Sequence, residues 1–284
     1  MSAIVLKSGC TMKDNCRYRV FLTPGLGNTL FQLAYAERNF DVSSTTFLHT
    51  IYNNSLLSRI LGWSSHREFI NFSDRKVEFT KFSDLLALAY LSIKKKLTKH
   101  ENVTVRFAKT EWHFGYFQTK LDYSLEDEKK YLKNMISIKN NKNIEDFYTD
   151  DYRQLSIKND RLCIIHVREG DFPSSHKIHR KYYLEIIKKI SKKIDEYIIV
   201  GLGASEILQY LKDNGIENVS LLNASNEEFD FNTIFHCKNI IVSNSTFCFW
   251  AVYFGVQKNV FIEECDCYWP FVDYYKRLSN ATVA

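Results

Sequence analysis

The feature that most constrains this chain is a regular alternation that begins near residue 161 and runs almost to the end. Short, continuous apolar runs alternate with stretches of helical period. RLCIIHV (161–167), EYIIVG (196–201), NVSLLN (218–223), NIIVSN (239–244) and NVFIEE (259–264) read as strands covered on both faces. Between them lie RKYYLEIIKKISKKI (180–194), ASEILQYLKDNG (204–215) with Gly215 as C-cap, EEFDFNTIFHC (227–237) and STFCFWAVYFG (245–255). In the last, Phe247, Trp250, Ala251 and Phe254 fall at core spacing. Strands separated by helices must pair in parallel, because the crossover returns each strand in the same direction. The reading is therefore an α/β chain with a doubly wound parallel sheet.

The N-terminal half repeats this pattern less clearly. Residues 18–23 (YRVFLT) are rich in aromatic and β-branched side chains and read as a strand ended by Pro24. Gly25-Leu26-Gly27 makes a tight loop, and Asn28 or Thr29 is expected to cap a helix, TLFQLAYAERN. The stretch 40–100 is less regular, apart from an apolar helix over 83–100 that ends in Lys94, Lys95 and Lys96. Two readings of that helix stand side by side. It is an interfacial helix seated on an anionic membrane, or a core helix whose lysines complement its C-terminal dipole; the second is preferred. The composition turns polar over 126–160, which reads as a helix and a linker. Two domains, 1–150 and 151–284, are expected.

Charge and cysteine usage narrow the function classes. A formal charge of +5 suits an anionic ligand and is too small to argue for nucleic acid. The seven cysteines are odd in number and form no Cys-x-x-Cys, so reduced thiols are expected. Cys265 and Cys267 lack a nearby His, which makes a zinc site a poor reading. No apolar leader core and no run of about 18 apolar residues occurs, so a cytoplasmic protein, at most peripheral on a membrane through 83–100, is expected.

Ligands of open α/β sheets bind outside the carboxyl ends of strands, and three polar clusters fall there. In the first, His166 and Arg168 are two apart on a strand end and point to one side, followed by Glu169, Gly170 and Asp171. A guanidinium fork there can grip a diphosphate, or can simply pair with a carboxylate. In the second, Ser243-Asn244-Ser245-Thr246 caps a helix and offers backbone N–H groups to an anion. The third is Pro24-Gly25-Leu26-Gly27-Asn28, which is no dinucleotide fingerprint because Leu30 stands where the third Gly should be.

Four segments resemble the motifs of glycosyltransferase family 11, the α-1,2-fucosyltransferases. PGLGNTLFQLAYA (24–36) resembles its Gly-Gly-Leu-Gly-Asn-Gln-Met-Phe-Gln opening, and GYFQTKLDY (115–123) its Gly-Tyr-Phe-Gln segment. HVREGDF (166–172) resembles His-x-Arg-Arg-Gly-Asp-Tyr, and VSNSTFCFWAVYF (242–254) resembles Asn-Ser-Ser-Phe-Ser-Trp-Trp. They occur in the family's order. The chain departs at Glu169, where the family has a second Arg, and at Gly201-Leu202-Gly203, where it has Ser-Asp-Asp.

The resemblance implies a GT-B architecture of two Rossmann-like domains facing a cleft, and an inverting transfer from a GDP-sugar. It implies that Arg168 holds the donor β-phosphate with support from His166, and that Asn244, Ser245, Thr246 and Phe247 line the diphosphate site. Asp230 would accept from guanine, Gly25, Gly27 and Asn28 would lie by the transferred sugar, and Tyr116 and Gln118 would meet the acceptor. Asp171 is the candidate base, with other acids and His113 as alternatives, and Arg168, Asp171 and Asn28 are the expected catalytic residues. The implied partners are GDP-β-L-fucose and a galactoside glycan, O-antigen or similar, including lipid-linked forms. GDP-L-colitose remains an alternative donor because of the two departures. No two Asp residues stand two apart, so no metal cofactor is expected. Two other classes stay open: a nicotinamide oxidoreductase, against which the missing third Gly argues, and a non-catalytic GDP-sugar-binding module.

Overall fold

The computed structural model describes residues 16–23, 25–49, 76–118, 160–169, 175, 177–222, 227–255, 257–263, 265, 267, 269, 272–277 and 281–283. The chain divides into two compact units, Met1–Asp122 and Tyr123–Ala284. The boundary expected near 150, and the helix and linker expected over 126–160, lie outside the described residues except for Asp160.

Unit 1 is built on a five-stranded sheet in the order β3-β2-β1-β5-β4. Its elements are β1 (Arg17–Leu22), α1 (Leu26–Asn39), a single 3-10 turn, β2 (Thr45–His49), β3 (Lys76–Phe79), α2 (Phe82–Thr98), β4 (Val103–Phe107) and β5 (Thr110–Phe114). All pairs are parallel except the β4–β5 hairpin. β1 starts exposed at Arg17 and ends with Val20, Phe21 and Leu22 buried, which seats its carboxyl end in the core. Each such side chain contributes about 1.5–3 kcal/mol of burial.

Helix α1 begins earlier than expected. Gly25, with φ 95°, is its N-cap, while Asn28 and Thr29 sit inside the first turn. The early start buries Leu26 and Gly27, and the Thr29 hydroxyl donates back to the Thr23 and Gly25 carbonyls (3.2 and 3.1 Å) instead of capping. Helix α2 also departs from the preferred reading of a core helix, because only Asp84 and Leu91 are buried along its 17 residues. Asp84 fixes its rotation. The carboxylate accepts from Arg19 (2.9 Å), from the Trp112 indole (2.9 Å) and from the Lys81 backbone N–H (2.9 Å). Leu91 joins Phe21, Leu48, Val103 and Trp112 in a hydrophobic cluster beneath it.

Unit 2 carries a six-stranded, wholly parallel sheet in the order β11-β10-β9-β6-β7-β8. Its strands are β6 (Leu162–Arg168), β7 (Glu196–Leu202), β8 (Val219–Leu221), β9 (Asn239–Ile241), β10 (Asn259–Ile262) and β11 (Ala281–Val283). Its helices are α3 (Arg180–Ile190), α4 (Ala204–Asp213), α5 (Glu227–His236), α6 (Thr246–Phe254) and α7 (Val272–Arg277). Counted from β6, the order is that of the dinucleotide-binding sheet, with its reversal between β6 and β9. The expected elements are all present, α3 ending at Ile190 rather than 194. α4 closes as expected, with Gly215 at φ 84° and its N–H bonded to the Lys212 carbonyl. β11 and α7 were not expected.

Helix α6 is buried on every face from Cys248 to Phe254, as an all-apolar helix must be. Its rings interlock, Trp250 stacking on Phe254 at 5.2 Å and meeting Tyr253 edge-on at 5.5 Å. Its N-terminus is thereby held at the carboxyl end of the sheet. Among the described residues six cysteines are free thiols.

Candidate functional site

Each unit has one point where strand order reverses about its first strand, and the polar clusters converge on these two points. In unit 2 the crevice lies between β6 and β9. His166, near the end of β6, and Ser243, just past β9, meet across it with Nδ1 and Oγ 2.6 Å apart. Both are buried. Burial, and then the neighbouring Arg168 guanidinium, lower the His166 pKa to about 3. The imidazole is therefore neutral at physiological pH and serves as a hydrogen-bonding group, not as a cation or an acid. If the Ser243 hydroxyl donates to Nδ1, the proton sits on Nε2. With His166 neutral, half-buried Arg168 supplies positive charge at the end of β6.

The helix side of the crevice is set by Ser245, the N-cap of α6, whose Oγ accepts from the Cys248 N–H at 3.5 Å. Asn244 and Ser245 are buried, and Thr246 and Phe247 half-buried at the rim. Phe247 is thus not the core residue its spacing suggested: its ring lies 6.1 Å from that of His166 and 5.3 Å, edge-on, from Phe231. A guanidinium, a neutral imidazole and the positive end of a nine-residue helix make an environment for a diphosphate.

Asp230 stands on α5 and is buried. Burial pushes its carboxyl up to about 6; the Gly201 backbone N–H works against the rise and Glu227 adds to it. Its Oδ1 has no partner among the described residues. Gly201 links Asp230 to the crevice, because a Cβ there would lie 3.2 Å from His166 Nε2 and would strike the Val167 carbonyl. A glycine is required at this position by space and by its φ of 101°.

The two departures from the family pattern are one structural unit. Glu169 accepts twice from Arg180 at the start of α3 (3.1 and 3.0 Å), and its backbone N–H donates to the Leu202 carbonyl (2.9 Å). A Cβ on Gly203 would come within 2.7 Å of the Glu169 Cβ. Glu169 therefore spends its charge on Arg180, and Gly203 makes room for its stem. Asp171 lies outside the described residues, as does Gly170.

In unit 1 the reversal lies between β1 and β5, where the two other motif segments meet. Gln32, fully buried on α1, accepts from the Thr23 N–H (2.9 Å) and donates to the Thr23 hydroxyl (2.9 Å) and the Gly115 carbonyl (2.7 Å). Tyr35 stacks on Phe117 at 4.0 Å, and Gln118 donates to the Asn28 side chain at 3.2 Å. Asn102 and Glu101 hold the Phe117 and Gln118 N–H groups. Tyr116 is partly exposed beneath Lys95, whose Nζ lies 4.4 Å from the ring centre. The candidates Gly25, Gly27, Asn28 and Gln118 are thus brought together, whereas the Tyr116 ring packs under Lys95 of α2. His113 is not an accessible base: it is buried beside the Tyr18, Tyr35 and Phe40 rings, with Nε2 3.1 Å from Glu111. Cys265 and Cys267 adjoin each other, and among the described residues no group of three metal-binding side chains occurs.

Sequence reasoning assigned no role of their own to Gln32, Ser243 (read there only as one member of the capping cluster, not as the partner of His166), Gly201 or Arg180. The first three lie in or beside segments whose pattern was noticed. Arg180 carried no signal, being eleven residues from its partner.

The model of glycosyl transferase family 11 matches residues 20–271. A search of the curated proteins finds no match. Among solved structures, the fucosyltransferase NodZ from Bradyrhizobium is 12% identical, with a TM-score of 0.52 over 86% of this chain and 94% of that one. The E. coli ADP-heptose lps heptosyltransferase II is 11% identical, with a TM-score of 0.42 over 94% and 90%. A mutant of Arabidopsis thaliana FUT1 in complex with GDP is 13% identical, with a TM-score of 0.40 over 87% and 70%. At such identities the likeness to NodZ speaks of the fold, which is of the GT-B class. The family match spans nearly the whole chain and contains all four motif segments, so the chain belongs to glycosyl transferase family 11 and is a glycosyltransferase.

Proposed function

We propose that this enzyme moves L-fucose from GDP-β-L-fucose to the 2-hydroxyl of a galactoside in a cell-surface glycan, with inversion and without a metal. The observation that carries the reading is the arrangement at the β6–β9 crevice: Arg168, neutral His166 and the α6 N-terminus on one side, and Asp230 beyond Gly201. The acceptor hydroxyl attacks the anomeric carbon, the bond from that carbon to the diphosphate oxygen breaks, and a β-linked donor gives an α-linked product. Negative charge grows on the departing GDP. Arg168 and the α6 N–H groups meet it, which is preorganised electrostatic stabilisation. His166 donates a hydrogen bond and moves no proton.

Asp230, ionised above about pH 6, accepts from the guanine N1–H and 2-amino group. Asp171 takes the acceptor proton. Asn28, Tyr116 and Gln118 serve the sugars, a reading supported for Asn28 and Gln118 by their contact in unit 1. The Glu169–Arg180 pair supports this reading, because Arg180 offsets the charge of Glu169 beside an anionic donor.

The test is transfer from GDP-β-L-fucose to a β-galactoside, with the product linkage and anomeric configuration read by NMR and with excess chelator present. An α-1,2 product formed at an undiminished rate is expected. Loss of activity on chelation, restored by Mn²⁺ or Mg²⁺, would overturn the metal-free mechanism. Binding of GDP without release of sugar to any acceptor would overturn the transferase reading.

A further inference from the structure

We infer that helix α2 is a membrane-docking element which lies flat on an anionic lipid surface. Its inner face is fixed, because Asp84 is bonded to Arg19 and Trp112 and Leu91 is locked into the cluster beneath. The opposite face is therefore fixed too. Phe82, Leu86, Tyr90, Ile93 and Leu97 recur there at intervals of three and four residues, so they form one stripe. Each is more than half exposed. An amphipathic helix normally turns its one apolar stripe to the core and its polar residues to water; α2 packs Ala87, Leu88 and Leu91 inward and still leaves this second apolar stripe exposed.

The charge around the stripe names the partner. Residues 81–100 hold five lysines against one aspartate, a net +4 in a chain whose formal charge is +5. The aspartate is Asp84, buried on the inner face. Lys96 flanks the stripe, Lys99 and His100 are exposed at its end, and Lys94 on its other side donates to the Thr104 carbonyl (2.9 Å). The nearby carboxylates are engaged: Glu78 by Arg19, Lys76 and Lys81, and Glu101 by the Gln118 N–H. Lys95 points inward over Phe114 and Tyr116 and takes no part. At 17 residues the helix is about 25 Å long, and among the described residues no helix is long and apolar enough to cross a membrane. An apolar face bordered by lysines is the pattern of a helix lying in the interfacial plane, its rings and aliphatic chains among the acyl boundary and its lysines at the headgroups.

The experiment is co-sedimentation of the full chain with vesicles of phosphatidylcholine alone or mixed with phosphatidylglycerol. Binding to the mixed vesicles, weak binding to the neutral ones and partial release by high salt are expected. Lys96→Gln with Lys99→Gln should weaken partitioning about 30-fold. Ile93→Ser with Leu97→Ser should weaken it at least about tenfold, since apolar burial is lost. All four residues are exposed, and GDP-induced thermal shifts in the same variants should match the wild type. Failure of the wild type to sediment, or equal binding to both vesicle types, would overturn the inference. So would reversible self-association in ultracentrifugation that Ile93→Ser with Leu97→Ser abolishes while vesicle binding persists.

Discussion

The two strand-order reversals use one topology for unlike purposes. At each, a loop following the first strand of the sheet meets a loop following the parallel strand on its other flank. In unit 1 the meeting is held by amide groups: Gln32 to Thr23 and Gly115, and Gln118 to Asn28. In unit 2 it is held around a guanidinium, a neutral imidazole, a helix N-terminus and a carboxyl raised to about 6. Neutral amides suit the hydroxyls of a sugar, whereas a cation and a helix dipole suit a diphosphate. The comparison teaches that the sheet supplies only the place, and that the residues at its edge decide the ligand.

The largest effect that would break or sharpen this contrast is on Arg168. Arg168→Ala should lower turnover on the order of 100- to 1000-fold as well as weaken donor binding, because part of the contact strengthens only as the diphosphate leaves. Arg168→Lys should recover little, since it keeps the charge and loses the fork. Steady-state transfer, with circular dichroism as the folding control, decides; near-normal turnover in a folded Arg168→Ala protein would mean that the diphosphate is held elsewhere.

On the unit 1 side, Gln32→Ala should lower stability by about 2–4 kcal/mol, because it strands the buried Thr23 N–H and the Gly115 carbonyl. Thermal unfolding measures it. A change under about 1 kcal/mol would show that the amide network does not hold the two loops together.

Asp230 gives an intermediate effect with two signs. Its folded pKa, about 6, lies above the ordinary value of 3.8, so the native state holds the proton more tightly than the unfolded chain. Stability is therefore gained as pH falls from about 6 towards 3.8, and the buried charge costs up to about 3 kcal/mol at neutral pH. Asp230→Asn should raise the neutral-pH melting temperature and lose that gain in acid. Binding runs the other way. GDP affinity of the wild type should fall as much as about tenfold per pH unit below about 6. The Asn variant should bind GDP weakly with no such slope. Calorimetry at several pH values checks both, and a wild-type affinity flat through pH 6 would remove Asp230 from the site.

The smallest effect belongs to Glu169. Glu169→Ala breaks a partly exposed pair with Arg180 and should cost under about 1 kcal/mol, with turnover nearly unchanged. A large loss of turnover would show that Glu169 faces the donor after all.

Unit 2 was legible because its central strands, such as β6, are continuous apolar runs and helices α3 and α4 keep a strict period, whereas three-residue β11 and six-residue α7 were too short to read. Unit 1 was harder for physical reasons. β3 has four residues and begins exposed, β4 is an antiparallel edge strand, and β5 alternates Glu111 and His113 with Trp112 and so lacks a continuous apolar run. The face of α2 could not be read because its anchor is Asp84, bonded to groups 65 and 28 residues away in sequence. In the site, the positions of His166, Arg168 and Ser245 at strand and helix ends were legible from spacing. The Ser243 partner of His166, 77 residues distant, and the neutrality of that imidazole depend on tertiary burial.

The most direct test of the central claim, that a guanine nucleotide diphosphate is held at the β6–β9 crevice, is a calorimetric titration of GDP and UDP into the wild type and Arg168→Ala. GDP should bind the wild type at least about tenfold more tightly than UDP, the 1.4 kcal/mol expected of one discriminating hydrogen-bond pattern, and Arg168→Ala should weaken both nucleotides. Equal affinity for GDP and UDP, or a GDP affinity untouched by Arg168→Ala, would contradict it.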